Sequence, residues 1–203
     1  MDPQRRLLTA ACLGGATATV LANAFAQTGT STQPVSGAAR VAHPSPSTDH
    51  DGRHDFDFFH GRWHLHNRRL KTWLANSDEW VEFEGSLSCQ SLLDGIGNID
   101  EVVADFGDGI HGLSLRLLDP ATRQWSDYWA TKRAGILGPP VIGAFAGGVG
   151  TFFGDDQFEG RPVRIRALWS QPAADQVHWE QAFSLDQGKT WETNWTMRMT
   201  RQA

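Results

Sequence analysis

The chain has 203 residues, with 18 lysines and arginines against 23 aspartates and glutamates, and a formal net charge of −5 at pH 7. This length suits one domain, and the acidic balance argues against nucleic acid or anionic lipid as a partner. Of the two cysteines, Cys12 lies near the N-terminus and Cys89 in the main part of the chain. No disulfide is therefore expected in the folded domain, and its stability must come from its core.

Residues 1–26 have the features of a cleaved signal peptide. Arg5 and Arg6 precede an uncharged run of small and apolar residues, and Ala24-Phe25-Ala26 matches a small-x-small cleavage site. The paired arginines resemble a twin-arginine signal, while the Sec route stays open. A membrane anchor is the alternative, but the run spans a bilayer only if its Ala, Gly and Thr count as apolar. We expect a periplasmic or secreted protein whose mature domain does not insert into a membrane.

Residues 27–53 are rich in Ser, Thr, Pro, Gly and Ala and contain almost no large apolar side chain. Such a composition cannot bury enough surface to fold, so it predicts a disordered linker. The folded domain is then 54–203, and all nine tryptophans fall within it.

The folded domain alternates apolar and polar residues with a period of two, which predicts strands after a possible short helix at 54–60. Short turns rich in Gly, Asp, Asn and Pro separate these strands, so neighbours should pair antiparallel. We predict an all-β, up-and-down barrel of about 8–10 strands, because closure removes exposed sheet edges; a β-sandwich is the alternative. The expected strands are 62–72, 79–91, 97–106, 111–119, 124–132, 141–146, 149–155, 162–171, 176–184 and 190–200.

The alternation also assigns residues to the two faces of each strand. The parity rich in large apolar residues should face inward and the parity rich in charges outward. The expected inward set includes Trp63, Leu113, Leu115, Leu117, Trp125, Trp129, Trp169, Trp179, Trp191 and Trp195. The expected outward set includes His64, His66, Arg116, Arg164, Arg166, His178 and Asn194. Six polar residues share the inward parity: Asn67, Glu101, Asp127, Thr131, Gln181 and Thr193.

Glu101 and Asp127 are the candidate acid–base residues of this interior. A buried carboxylate without a partner is costly or has a raised pKa, so each needs a partner, a wet cavity or a ligand. Asp127 lies between Trp125 and Trp129 on one face, where apolar walls would move its pKa into a range useful for catalysis. The alternatives are a position at the barrel rim or a purely structural carboxylate.

The stretch "SLDQGKTW", Ser184 to Trp191, fills every position of the Asp-box known from sialidases. It lies between two strongly alternating runs, and each position has a local structural use in a tight turn. An arginine triad with a tyrosine nucleophile cannot be assembled, since Tyr128 is the only tyrosine. The motif therefore predicts a hairpin whose Trp191 packs into the interior, rather than carbohydrate chemistry.

Other features give weaker indications. His60, His64 and His66 form "HGRWHLH", yet no nearby Cys or carboxylate completes a metal site, and their parity is outward. Haem ligation by His111 or His178 is disfavoured by position. We expect neither a metal nor a cofactor. The apolar stretch "GILGPPVIGAF", Gly135 to Phe145, predicts either a lid or a plug at one barrel end.

Four stretches together resemble a bacterial family described as lipocalin-like, or calycin-type. They are "HDFDFFHGRWHLHNRRLK", "DPATRQWSDYWA", "GVGTFFGDDQFEGRPVRIRALWS" and "WEQAFSLDQGKTWETNW", and the resemblance covers essentially all of 54–203. It implies a β-barrel with an apolar interior. It implies no particular reaction and assigns no catalytic residue.

Three functions are compatible with these observations. The first is an exported barrel that binds a small hydrophobic or aromatic molecule in a tryptophan-lined cavity. In that case Trp63, Trp125, Trp129, Trp179 and Trp195 would form the wall, and Asn67, Asp127 and Gln181 would orient the ligand. The second is a barrel enzyme of the isomerase, dehydratase or cyclase type, with Asp127 or Glu101 as acid or base. The third is a structural or interaction module of the cell envelope.

Overall fold

The computed structural model describes residues 51–203, so the expected leader and most of the expected linker lie outside the described residues. Within the described part the chain forms ten strands and two single-turn 3-10 segments, Asp57–Phe59 and Leu93–Gly95. None of the described helices is long and apolar enough to cross a bilayer. The strands are β1 (Gly61–Leu70), β2 (Trp80–Leu92), β3 (Gly97–Ala104), β4 (Ile110–Asp119), β5 (Gln124–Thr131), β6 (Val141–Ala146), β7 (Val149–Phe158), β8 (Arg161–Ala173), β9 (Gln176–Ser184) and β10 (Glu192–Arg201).

The strands close into a single antiparallel barrel in which every strand pairs with its neighbours in sequence and β1 pairs with β10. The predicted all-β, up-and-down barrel is therefore confirmed, and the β-sandwich is excluded. The pairing of β5 with β6 is short, joining Trp125 to Gly143, Ser126 to Ile142 and Asp127 to Val141. Beyond Asp127 the chain of β5 continues without β6, and residues 132–140 fold back over it through the Ala130–Leu137 bridge.

One end of the barrel is filled by residues 52–60, which we call the plug. Its Phe56 ring lies 5.0 Å from the rings of Trp125 and Phe145, and its Phe59 ring lies 4.9 Å from that of Trp169. The plug is held from outside by Arg201, whose guanidinium donates to the carbonyl oxygens of Phe58 and His60 at 2.6 Å. Aromatic contacts of this kind add about 0.5–1.5 kcal/mol beyond area burial. The plug thus completes the main core at what we call the closed end.

The opposite end, which we call the open end, is only partly covered. There Trp73, from the loop between β1 and β2, packs 5.1 Å from the ring of Phe183 in a cluster with Leu70, Phe158 and Val163. The ring of Phe106, from the loop between β3 and β4, lies 4.6 Å from that of Phe83 at an interplanar angle of 35°. Residues 132–140 also lie at this end. The apolar side chains of Ile136 and Leu137 in that loop stay exposed to solvent.

The expected faces are correct for β1 and for most of β5 and wrong for β3 and β4. On β4 it is Arg116 that is buried inside the barrel, whereas Leu113, Leu115 and Leu117 face outward and are half-buried. The physical reason is strand register. Arg116 lies directly opposite Asp127 on β5, and directly paired residues point to the same face.

A second departure lies in β10, where the register shifts between Thr193 and Trp195. This β-bulge places Asn194 inside, fully buried, and leaves Thr193 outside, where its hydroxyl donates to Glu180 at 3.1 Å. A bulge adds one unpaired residue, so the alternation before it no longer predicts the face after it. Trp191 also faces outward, against the expectation, and packs on Phe153 and under the guanidinium of Arg166.

Candidate functional site

A buried cluster of charges crosses β3, β4 and β5 inside the barrel. The Nη1 atom of Arg116 donates to Oδ2 of Asp100 at 2.6 Å and to Oδ1 of Asn98 at 3.0 Å. The Nε atom of Arg116 lies 3.2 Å from Oδ2 of Asp127. The side chains of Asp100, Arg116 and Asp127 are 1%, 2% and 11% exposed. We refer to these three residues as the charge cluster.

Aromatic rings surround the guanidinium of the charge cluster. The Cζ atom of Arg116 lies 4.8 Å from the ring of Trp169, 5.2 Å from Phe59 and 5.3 Å from Phe56. Two of these rings belong to the plug. Cation–π contacts that exclude water are worth about 2 kcal/mol each. The plug therefore both fills the closed end and covers the buried arginine.

Two carboxyl groups share one guanidinium, so full ionisation would leave one excess negative charge in the charge cluster. Burial raises the pKa of Asp127 to about 6, against the opposing effect of the Arg116 guanidinium. Burial also raises the pKa of Asp100. For Arg116, burial alone would lower the pKa, but the carboxylates of Asp127 and Asp100 outweigh it and hold the pKa above its ordinary value. Asp127 is the more exposed of the two acids and is thus the one placed to exchange a proton with a ligand or with water.

Three of the predicted tryptophans remain partly accessible although they face the barrel interior. Trp129, Trp179 and Trp195 are half-buried and border the main core. The rings of Trp179 and Trp195 meet edge to face at 5.7 Å, and the ring of Trp129 lies over Gly112, where a Cβ would come within 2.5 Å of it. We call the part of the barrel interior that these residues border the upper lumen.

The predicted polar residues of the upper lumen are Asn67 and Gln181. Asn67 is fully buried, and its Oδ1 atom accepts from Nε1 of Trp195 at 3.0 Å. Gln181 is half-buried, and its Nε2 atom donates to Oδ1 of Asn194 at 2.9 Å. Gln181 is also the direct cross-strand neighbour of Trp195. The structure therefore brings Asn67, Gln181 and Trp195 together, with Asn194 added by the bulge.

Two predicted wall residues lie instead in the filled core. Trp63 and Trp125 are buried, and their indole N–H groups donate to the carbonyl oxygen of Phe59 at 2.8 Å and to Oδ2 of Asp55 at 3.2 Å. Both partners belong to the plug, which the sequence reading did not place inside the barrel. Trp63 and Trp125 are thus bonded to the plug and do not border the upper lumen.

Glu101 is a correction to the expected interior. Its side chain is 66% exposed on the outer face of β3 and pairs with Nε2 of His111 at 2.6 Å. The inward residues of β3 are Asn98 and Asp100, since each pairs directly with an inward residue of β4. Glu101 therefore does not meet Asp127, and the interior acid of this strand is Asp100.

The loop between β9 and β10 is held by its own hydrogen bonds. The Asp186 carboxylate accepts from the backbone N–H groups of Lys189 and Thr190 and from the hydroxyls of Ser184 and Thr190, at 2.7–3.0 Å. These bonds, those from Thr190 foremost, hold the pKa of Asp186 well below its usual range. Ser184, Asp186, Lys189 and Thr190 of "SLDQGKTW" are thus hydrogen-bonded to one another within the loop, as expected of a structural turn.

Metal-ligating side chains do not cluster in groups of three or more among residues 51–203. His64 and His66 lie on the outer face and pair with Glu84 at 3.0 and 2.7 Å. Two surface clefts lie away from the upper lumen. One, of about 300 Å³, lies between Phe58 of the plug and Gln171 of β8. The other, of about 390 Å³, lies on the outer face between His66 and His178.

The sequence reading did not place four buried polar residues inside the candidate site: Asn98, Asp100, Arg116 and Asn194. A signal for Arg116 was present. The turn between Asp119 and Gln124 sets the register of its hairpin, and that register places Arg116 opposite Asp127. Since Asp127 was expected inside, its cross-strand partner had to be inside as well. No comparable signal marks the bulge that buries Asn194.

No family model matches the chain, and no curated protein matches it. Among solved structures, a de novo designed fluorescence-activating β-barrel is similar with a TM-score of 0.40 and 11% identity, covering 72% of this chain and 95% of that one. A second, EF1p2_mFAP2b bound to DFHBI, has a TM-score of 0.41 and 10% identity, covering 75% of this chain and 100% of that one. Similarity of this degree carries no information on what the present chain binds.

Proposed function

We propose that this protein is an exported β-barrel that binds a small hydrophobic or aromatic molecule in the upper lumen. The observation that carries the proposal is the partial exposure of Trp129, Trp179 and Trp195 on the inner face of a closed barrel. Inward side chains of a barrel reach solvent through an end of the barrel or through a gap between strands, and both routes lead to the space inside. Apolar walls with a few placed polar groups are the usual composition of a small-molecule site.

The position of the site follows from how the two ends differ. Phe56 and Phe59 of the plug fill the closed end, so the proposed ligand site does not lie there. At the open end, β6 pairs with β5 only as far as Asp127, so the wall beside Trp129 is formed by the loop 132–140, whose Gly138 N–H donates to the Trp129 carbonyl oxygen at 2.8 Å. A ligand would therefore enter near Trp129 and come to rest against Trp179 and Trp195.

Calorimetric titration with naphthalene, coumarin and dodecanoate tests the binding proposal. We expect saturable binding of at least one aromatic probe, weakened about two- to tenfold in Trp129→Leu through loss of ring contacts. Trp191→Leu is the matched control because Trp191 packs on the outer face. Absence of binding across the panel, or an equal loss in Trp191→Leu, would contradict the proposal.

Export is supported by the sequence of residues 1–26 alone. Cell fractionation of the full chain, expressed with a C-terminal epitope tag, should recover a shortened product outside the cytoplasm. If the twin-arginine route is used, replacing Arg5 and Arg6 by Lys should retain the full-length chain in the cytoplasm. Full-length chain found only in the cytoplasm of the unaltered strain would contradict export.

Acid–base catalysis by Asp127 is the second candidate function, favoured by one specific observation. Asp127 is the partly exposed acid of the charge cluster, beside Trp129, with a pKa raised to about 6 by burial. A base with such a pKa could remove a proton next to a carbonyl group near neutral pH. Deuterium exchange into 1-tetralone, followed by NMR, should be accelerated by the protein and lost in Asp127→Asn. Equal exchange with both proteins would exclude this role.

A further inference from the structure

The polar side of the upper lumen contains two hydrogen-bonded pairs and the buried guanidinium of Arg69, whose Cζ atom lies 5.7 Å from the ring of Trp195. Trp195 donates its indole N–H to Oδ1 of Asn67, and Gln181 donates to Oδ1 of Asn194. An indole nitrogen can only donate, so the amide oxygen of Asn67 must face Trp195 and its NH2 group must point elsewhere. For Gln181 and Asn194, either orientation of the two amides leaves one NH2 group outside the pair.

Both asparagine NH2 groups lack an acceptor among the described residues. The Nδ2 atoms of Asn67 and Asn194 are buried without a hydrogen-bond partner, on side chains that are 1% and 0% exposed. Buried donors of this kind are rare in folded proteins and destabilising when left unpaired. Two such donors, on the neighbouring strands β1 and β10, indicate that a ligand acceptor would be favourable beside them.

The surroundings of these donors distinguish them from a third unpaired amide. Asn98 also has an unpartnered Nδ2 atom, but it lies among Asp100 and Arg116, which are almost completely buried. Asn67 and Asn194 instead adjoin Trp195 and Gln181, which are half-buried and border the upper lumen. Asn67 and Asn194 are therefore bonded to partly exposed side chains, whereas the partner of Asn98 is buried.

We propose that the upper lumen selects aromatic molecules that carry a neutral carbonyl acceptor, received by the amide NH2 groups of Asn67 and Asn194. This inference rests on the proposed binding function. The ring packs against Trp179 and Trp195, and the carbonyl oxygen, with two lone pairs, accepts from one or both amides. A neutral carbonyl is favoured over an anion because the receiving amides carry no charge and Asp127 lies inside the same barrel. The buried guanidinium of Arg69 is already engaged with the rings of Trp73 and Phe106.

Calorimetry with three bicyclic probes of similar size tests this selectivity: coumarin, with a neutral carbonyl; naphthalene, without an acceptor; and 1-naphthoate, with an anionic one. In the unaltered protein we expect coumarin to bind about tenfold more tightly than naphthalene, as one or two satisfied donors would give. Asn67→Leu and Asn194→Leu should each remove most of that preference while naphthalene affinity stays within about twofold. Thr196→Val, on the outer face of the same strand as Asn194, should change neither affinity.

Each outcome has a distinct meaning. Equal affinities for coumarin and naphthalene in the unaltered protein would overturn the selectivity and leave the binding function standing. Binding of neither probe would overturn both. Tighter binding of 1-naphthoate than of coumarin would overturn the neutral acceptor in favour of an anion. Naphthalene binding by the leucine variants reports that they remain folded, and the comparison of probes in the unaltered protein does not depend on them.

Discussion

The Nε atom of Arg116 lies 3.2 Å from Oδ2 of Asp127, its direct partner on the neighbouring strand, and both side chains point into the barrel. A guanidinium and a carboxylate are thereby removed from water together. The same arginine also holds Asp100 at 2.6 Å. Neither carboxylate could stay ionised in this core without it.

Arg116→Met should strongly destabilise the barrel. Removing one partner of a buried ion pair leaves an uncompensated charge and typically costs about 3–5 kcal/mol. Urea unfolding at neutral pH measures the change. Arg68→Met is the matched control, because Arg68 pairs with Glu82 at 3.1 Å on the exposed outer face, where a pair contributes about 0–1 kcal/mol. Similar losses in the two variants would contradict a buried, paired Arg116.

Asp127 should make stability depend on pH in the acidic range. Its pKa is raised to about 6 in the folded protein, so between the unfolded and folded pKa values the folded state binds the extra proton. Stability from this group is then present at low pH and is lost as the pH rises through about 6. Relative to Asp127→Asn, the unaltered protein should lose at most about 3 kcal/mol between about pH 4 and about pH 7. A difference that is constant with pH, or of opposite sign, would contradict this placement.

Phe59 tests whether the plug is part of the core. Its ring is fully buried between Trp63 and Trp169, and truncation of such a residue to alanine costs about 3–5 kcal/mol. Phe58→Ala should cost clearly less, since Phe58 is half-buried at the edge of a surface cleft. Urea unfolding of the two variants gives the comparison. An equally small effect of both substitutions would mean that the plug does not fill the barrel.

Asp186→Ala should lower the urea midpoint at neutral pH by removing the carboxylate that holds the β9–β10 loop together. Because hydrogen bonds hold the pKa of Asp186 below its ordinary value of 3.8, the stabilisation is present above that pH and is lost as the pH falls. The gap between the variant and the unaltered protein should therefore narrow in acid. Lys189→Ala, an exposed neighbour, should leave the midpoint unchanged. Equal changes in the urea midpoint for the two substitutions would contradict a stabilising role of the Asp186 carboxylate in this loop.

Much of the barrel could be predicted because its signals are local. Period-two alternation and short turns predict antiparallel strands in sequence order, and the expected strands agree with the observed bounds to within a few residues. The inward positions of Trp129, Asp127 and Asn67 could be read in the same way. The resemblance to a lipocalin-like family correctly implied a barrel, while membership of that family stays a prediction.

The wrong assignments of inward and outward faces share one cause: the face was assigned for each strand separately. On β4, the face with three leucines is more apolar than the face with Arg116, so the sequence favoured the leucine face as the inner one. The structure nevertheless places Arg116 inside. Pairing with β5 decides the face, and the charge is tolerated because Asp100 and Asp127 arrive from both neighbouring strands. Register information carried from one hairpin to the next would have corrected the assignment.

The sequence by itself therefore determined the ten antiparallel strands, their order and the concentration of tryptophan in the interior, because each depends on neighbours close in the chain. Only the tertiary structure decided which end of the barrel interior is filled and which end keeps partly exposed side chains. Closure of the barrel places the plug against Trp169 and brings Asp100 and Asp127 into contact with Arg116. It also places the β10 bulge beside Asn67. These contacts join residues far apart in sequence, and no local pattern encodes them.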